Sequence, residues 1–495
     1  MAGPGWLRRR CTHRGRTRAA VTLLLVLALT LGCTAGCTTV VAGHGRIDAL
    51  GIPVHGDSGD RFDTEAKTAL ADVIAYWQRT YPTIANGAKL PPISGGLYSV
   101  DGAAVIATHK IPATARQNKC LQRRLTFIID NAAYCQLDDS IIWDRGTNHL
   151  LPVLTRRYGP TLTALVFAHE FGHAVQHRLH ITTGNGVRTI DMESQADCAA
   201  GAFAGAALAG KAPHVRITTA DLDRALEGYF QIRDSTPDTP SDATHGNGFD
   251  RINALQLGIE HGATYCFSRS YLHDRSYTER GYVDPNDYYS QGNQPLAEVL
   301  GRSGIAPDLN RFWRHAGTLI DQRFTNVRLA EADHPPCGSA DPASQFGYCP
   351  DDNTAYYSNA FARKAYYSIT DVVVNRQDAT VSLQPDQPGD YALGFLLAVA
   401  WGMAARAQFL HRSTTDHDAL VAAICYAGAY SEDINRAQTS ATHKYVLSPP
   451  DMDEATAAVL DLVDLGTAFG PRGTTGLSRV QAFVTGYSGG LAACR

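Results

Sequence analysis

The stretch "AHEFGHAVQHRL", residues 168–179, decides how the rest of the chain is read. His169 and His173 stand four apart, so on a helix both imidazoles leave the same face. Neutral imidazole is a good zinc ligand, and two converging nitrogens supply half of a tetrahedral site. Glu170 follows the first ligand, where its carboxylate can take a proton from a water at the metal. Leu165, Val166, Phe167, Ala168 and Phe171 around them are apolar, so the pattern predicts a buried helix. Buried polar side chains without partners are costly, and these three call for a common one.

The next helical run contains "MESQADC", residues 192–198, with Glu193 and Asp197 again four apart. A catalytic zinc needs a third protein ligand and an open position, and Glu193 can be that ligand. Asp197 can accept the remaining ring N–H of a ligand histidine and so fix its tautomer. The plainer reading of the pair is two acids near a helix start, where they complement the helix dipole. His245, in "ATHGNG", can act as a donor across from the metal that stabilises an oxyanion, or as a surface histidine capping a turn. His177 and His180 read as a solvated helix end.

Further out, the local signals are of mixed type. "DTEAKTALADVIAYWQRTY", residues 63–81, has helical spacing with Asp63 or Thr64 as cap. "RLTFIID" (124–130) and "SIIWD" (140–144) are β-branched and aromatic, as strands are, and 138–144 is expected to pair with an extended substrate. The metal-bearing helix is expected to begin at Pro160, and the next one behind a capping Asp191.

The second half of the chain echoes the first. "AYCQLDDSIIW" around Cys135 resembles "GYCPDDNTAYY" around Cys349, "DCAAGAFAG" resembles "ICYAGAYSE", and "FDRINALQLGIEHGATYC" resembles "LSRVQAFVTGYSGGLAAC". "IAYWQR" near Trp77 and "NRFWRH" near Trp313 open the two units. In this register "AVAWGMAARAQF", residues 398–409, lies opposite the opening stretch. Val399, Ala400 and Met403 then face His169, Glu170 and His173, while Leu420 and Ile424 face Glu193 and Asp197. Gly473 falls opposite His245, and Arg251 keeps its counterpart in Arg479, which points to a salt bridge or helix contact for that arginine. Five polar residues turn apolar together while cysteines, glycine, tryptophan and arginine persist. That is the pattern of a site whose polar groups were useful only with metal.

These motifs carry a resemblance. "AHEFGHAVQ", "ESQADCAAG" and "HGNGFDRINALQLGIEHGATYC", preceded by "AYCQLDD", resemble the bacterial neutral zinc metallopeptidase family over about residues 70 to 270. The resemblance implies a zincin fold in which His169, His173 and Glu193 bind zinc, Glu170 is the general base and Asp197 supports a ligand. Ala174 departs from the family's frequent second histidine at that place and leaves the ligand set untouched.

The 495 residues are 44% hydrophobic and 19% charged, which allows sizeable cores, and the net charge of −4 offers no general basic surface for nucleic acid. The one dense basic run, "RRRCTHRGRTR", precedes an apolar stretch at 19–32 too short for a comfortable membrane span. Together with the small residues that follow, it reads as an export signal. "TAGC" resembles a bacterial lipobox, with Thr34 where leucine is preferred, so lipidation is expected at Cys37, with Cys33 or plain secretion as alternatives. Beyond the leader remain eight cysteines, and the repeat suggests four bridges: Cys120–Cys135, Cys198–Cys266, Cys337–Cys349 and Cys425–Cys494.

The expected organisation is a signal peptide at 1–37, a linker at 38–57, an active domain at 58–270, a second linker at 271–294 and a degenerate copy at 295–495. The expected fold class is α+β, two homologous zincin-like domains, each a helical core with a small sheet and two disulfides. The expected activity is that of an exported, lipid-anchored endopeptidase with one Zn2+ in the first domain, acting on protein or peptide. A scaffold protein with structural zinc is the alternative, and having only three protein ligands argues against it.

Overall fold

The computed structural model describes residues 51–184, 186–234, 245–278, 281–282, 290–337, 345–375, 377–436, 445–462 and 474–494. The leader with Cys37, most of the 38–57 stretch, and Gly473 lie outside these residues.

The architecture is mixed α+β, mostly helical, with three small sheets and four disulfides. In chain order the first half runs α1 (Arg61–Ile84), β1 (Gly96–Val100), α2 (Gly102–Thr108), α3 (Lys119–Arg123), β2 (Ala132–Cys135), β3 (Ser140–Asp144), α4 (Leu150–Tyr158), α5 (Pro160–Arg178), α6 (Thr189–Leu208), α7 (Thr219–Phe230), α8 (Gly248–Cys266) and α9 (Arg269–His273). The second continues with α10 (Leu296–Val299), α11 (Ile305–Leu319), β4 (Arg328–Glu331), β5 (Phe346–Cys349), β6 (Thr354–Tyr357), α12 (Asn359–Tyr366), β7 (Ile369–Val374), β8 (Val381–Gln387), α13 (Asp390–Leu410), α14 (Ala419–Arg436), α15 (Asp451–Leu460) and α16 (Gly476–Gly489).

The same sheet is built twice. β3 pairs parallel with β1 and antiparallel with β2; β6 pairs parallel with β4 and antiparallel with β5. The helices repeat as well. α6 packs on α8 so closely that a Cβ on Gly258 would lie 1.9 Å from the Cys198 carbonyl oxygen, and one on Gly486 would lie 1.8 Å from that of Cys425. The Cys198–Cys266 and Cys425–Cys494 bridges staple the same two helix pairs. Gly262 and Gly490, four residues beyond those contacts, both adopt positive φ (71° and 61°), a conformation that glycine reaches without strain. Trp77 and Trp313 are buried in α1 and α11. One hydrophobic core runs through both halves, with Phe249 stacked edge-on against Phe483 and Tyr487.

Four disulfides place the chain in an extracellular or otherwise oxidising compartment. α13 is apolar and long enough to cross a membrane, but 78% of its most apolar window is buried within the protein.

Several local expectations are corrected. Residues 124–130 form a 3-10 turn at Leu125–Ile128 instead of a strand, because β1 and β2 already occupy both edges of β3. Asp60, not Asp63 or Thr64, caps α1; Asp63 is fully buried and accepts from Trp143 Nε1 at 2.8 Å and Ser99 Oγ at 2.6 Å. α6 starts three residues earlier than expected, and Asp191 acts from its third position on the Arg188 backbone N–H at 2.7 Å. The hairpin β7–β8, between α12 and α13, was not legible as strands and has no counterpart in the first half, where only Gly159 separates α4 from α5.

Candidate metal centre

α5 presents His169 and His173 on one face, and Gly172 between them faces α6. A Cβ there would meet Ala196 Cα at 3.0 Å and Ala199 Cβ at 3.1 Å, so the two helices touch backbone to side chain. This approach carries Glu193, one turn earlier on α6, to the two imidazoles. His169 Nε2 and His173 Nε2 are 3.1 Å apart, and Glu193 Oε2 lies 3.3 Å from the first and 3.4 Å from the second.

That triangle fits zinc. Ligand bonds of about 2.0–2.1 Å at a tetrahedral ion put neighbouring ligand atoms about 3.3–3.4 Å apart. The opposite ring nitrogens are occupied: His169 Nδ1 meets Asp197 Oδ1 at 2.6 Å, and His173 Nδ1 meets Gln176 Oε1 at 2.9 Å. With those nitrogens donating, both Nε2 atoms carry lone pairs that point at each other and at a carboxylate. Glu193 Oε2 is buried and makes no hydrogen bond. Three acceptors converging without a donor require a cation or protons. Burial opposes a charged His169, yet Asp197 and Glu193 together push it up to about 10. A metal ion bound there would supply that positive charge and leave the ring neutral.

Asp197 is fully buried and anchors the arrangement. Arg251 donates to it through Nε (3.1 Å) and Nη2 (3.0 Å), and the Tyr229 hydroxyl donates to its Oδ1. Desolvation would raise this carboxyl, but Arg251 and His169 hold it below the ordinary aspartate range. Arg251 also donates to the Ile232 carbonyl, and Arg479 does the same to Val459 and Leu460, a structural role that both halves share.

Glu170 lines the cleft next to the ligands, and its Oε2 accepts the Tyr134 backbone N–H at 2.8 Å. Tyr134 belongs to β2, whose outer edge faces the site. β3 lies between β1 and β2 with both edges paired, so the expectation that 138–144 would pair with an extended substrate is corrected. His245 is half-exposed at the cleft, with Nδ1 3.0 Å from Asp234 and Nε2 3.9 Å from Glu193 Oε2. His177 is not a solvated helix end, because its Nδ1 is 2.6 Å from the Tyr134 hydroxyl.

Tyr229, Gln176 and Tyr134 are functional neighbours that sequence reasoning missed. Gln176, three residues past His173, was the one with a spacing signal; Tyr229 and Tyr134 reach the site only through tertiary packing. In the second half, Val399, Ala400, Met403, Leu420 and Ile424 are all buried in the core at the corresponding helix pair. Gly402 repeats the close approach of Gly172, its Cβ position lying 3.1 Å from Ala423 Cα.

Comparison of the chain with protein-family models, with curated proteins and with solved structures gives no match.

Proposed function

We propose that the chain is an exported zinc metalloendopeptidase whose first half is catalytic and whose second half is a degenerate zincin-like copy. The observation that carries this reading is the three-atom focus of His169, His173 and Glu193, with Glu170 beside it on an open cleft. A structural site would close with a fourth protein ligand, whereas this one opens on a cavity of about 680 Å3 lined by His169, Glu170, His173 and Glu193.

Zinc bound there would act as a Lewis acid toward a scissile carbonyl and lower the pKa of a water. The chain's own residues do the rest. Asp197 and Gln176 hold the two imidazoles in one tautomer and orientation. The Tyr134 N–H fixes Glu170 through Oε2, leaving Oε1 to take the proton of the attacking water and deliver it to the leaving amine. The outer edge of β2 aligns an extended substrate backbone. His245, braced by Asp234, is the proposed donor to the developing oxyanion. Cys37, in its lipobox-like setting, is the proposed point of attachment to the outer face of the cytoplasmic membrane.

Metal analysis tests the reading. About one zinc per chain is expected, lost in His169→Ala; a chain that binds no zinc contradicts it.

A further inference from the structure

The second half contributes a wall to the first half's cleft. The cavity beside His169 and Glu170 is bounded on one side by Asn131 and Ala132, next to the outer edge of β2, and on the other by β7 of the inserted hairpin. Val372, Val373 and Val374 all line it, and among the described residues none of β8 does. Alternate strand residues point to opposite faces, so three consecutive lining residues mean that β7 meets the cleft by its edge. Among the described residues β7 pairs with β8 alone, so its other edge carries no strand. The Asn375 N–H bonds to Thr380, which places the N–H groups of Val374 and Val372 on the side away from β8.

The hairpin is held in place from the first half. Arg233, stacked on Phe230, contacts Asp453 at 2.9 Å and Asp371 at 3.6 Å, and the Val381 N–H donates to the Asn148 carbonyl at 2.9 Å. The cleft is therefore lined by the start of β2 and by the β7 edge, from different halves of the chain. Such edges take up extended polypeptide, whose backbone satisfies theirs. Of the β7 residues lining the cleft, Asp371 is paired with Arg233 and the rest are aliphatic, with Val373 and Val374 38% and 39% exposed.

Resting on the peptidase reading, we propose that the degenerate half is the substrate-selecting part of the enzyme. Its β7 edge binds an extended segment of the substrate polypeptide that carries aliphatic side chains, opposite β2. The hairpin, absent from the first half, is what the second half adds to the active cleft.

The test uses the zinc-loaded Glu170→Gln protein and fluorescein-labelled ten-residue peptides with Leu, Gly, Lys or Asp varied at each position. Val374→Asp removes the apolar contact, and Val374→Pro removes an outward N–H that the hairpin itself does not use. Leu-bearing peptides should bind most tightly, and each variant should weaken them about tenfold with zinc content unchanged. In the Glu170 background KM should rise by a similar factor, and the preference for Leu should shrink. If the wild type cleaves while both variants keep its KM and cleavage pattern, this inference is overturned and the peptidase reading stands. If peptides bind at β7 but the wild type never cleaves, the peptidase reading fails and the binding edge remains. Peptides that bind equally well whatever their side chains overturn the aliphatic selection. Should Val374→Pro fail to fold, Val374→Asp alone decides.

Discussion

His169 Nδ1 lies 2.6 Å from Asp197 Oδ1, and the same carboxylate receives two N–H groups of Arg251 and the Tyr229 hydroxyl. Asp197 thus orients His169, a proposed metal ligand, and neutralises a buried arginine at once. Asp197→Asn should lower zinc affinity by about 10–100-fold. It should also cost about 3–5 kcal/mol of stability, because Arg251 is left without its counter-charge. Chelator competition and denaturant unfolding measure the two effects separately. Tyr229→Phe, which removes the hydroxyl that donates to Asp197 and accepts from Arg251 Nη2 at 3.3 Å but leaves the Asp197–Arg251 pair in place, should keep zinc and lose about 1–2 kcal/mol.

The helix staples give a second prediction. Gly258→Ala would drive a methyl group to 1.9 Å from the Cys198 carbonyl oxygen, so α6 and α8 must separate. Since α6 carries Glu193, the variant should lose both thermal stability and zinc affinity. Replacing Cys198 and Cys266 by alanine should cost about 2–4 kcal/mol, chiefly by freeing the unfolded chain. Thermal melts with parallel zinc determination check both.

The second half should not tolerate restoration of the ligands. Met403 is buried against apolar neighbours, so Met403→His buries an imidazole without a partner. We expect a loss of about 2 kcal/mol or more and no second zinc per chain. A gain of zinc by Met403→His alone would contradict the reading of that half as a filled-in site.

A buried acidic group at the base of α13 and α15 predicts an unusual pH response. Asp390, Asp451 and Glu454 are almost fully buried with ligand oxygens within 4.8 Å of one another. Desolvation first, and then mutual repulsion with Asp451 and Asp390, holds the Glu454 carboxyl well above its ordinary value; desolvation also raises Asp390. The native state therefore keeps protons that the unfolded chain releases near pH 4. Stability from this cluster is fully present below the unfolded value and declines as pH rises toward the native one. Glu454→Gln should thus raise the melting temperature more at pH 8 than at pH 4.5. An equal shift at both values would show that the cluster does not titrate with folding.

The residues legible in the sequence were those bound to local periodicity. His169, Glu170, His173, Glu193 and Asp197 all lie on helices, where a spacing of four fixes a shared face, and the structure brings all five together. The cysteine pairs followed from the repeat. Hydrogen-bond partners such as Tyr229 and the Tyr134 N–H were illegible because only the packing of α7 and β2 against α5 brings them near. The 124–130 run failed because β-branched composition cannot say whether a partner edge is free. The hairpin stayed hidden because "TVSLQPDQPGD" is polar and proline-bearing, and its neighbours in the cleft come from the other half of the chain.

In the proposed mechanism Glu170 moves the proton at a zinc held by His169, His173 and Glu193. The most direct measurement is casein hydrolysis and zinc content, side by side, for the wild type and Glu170→Gln. We expect about one zinc in both proteins, hydrolysis by the wild type, and a loss of at least about a hundredfold in the variant. Wild-type protein that holds its zinc and cleaves nothing, or a variant that cleaves as well as the wild type, would contradict it.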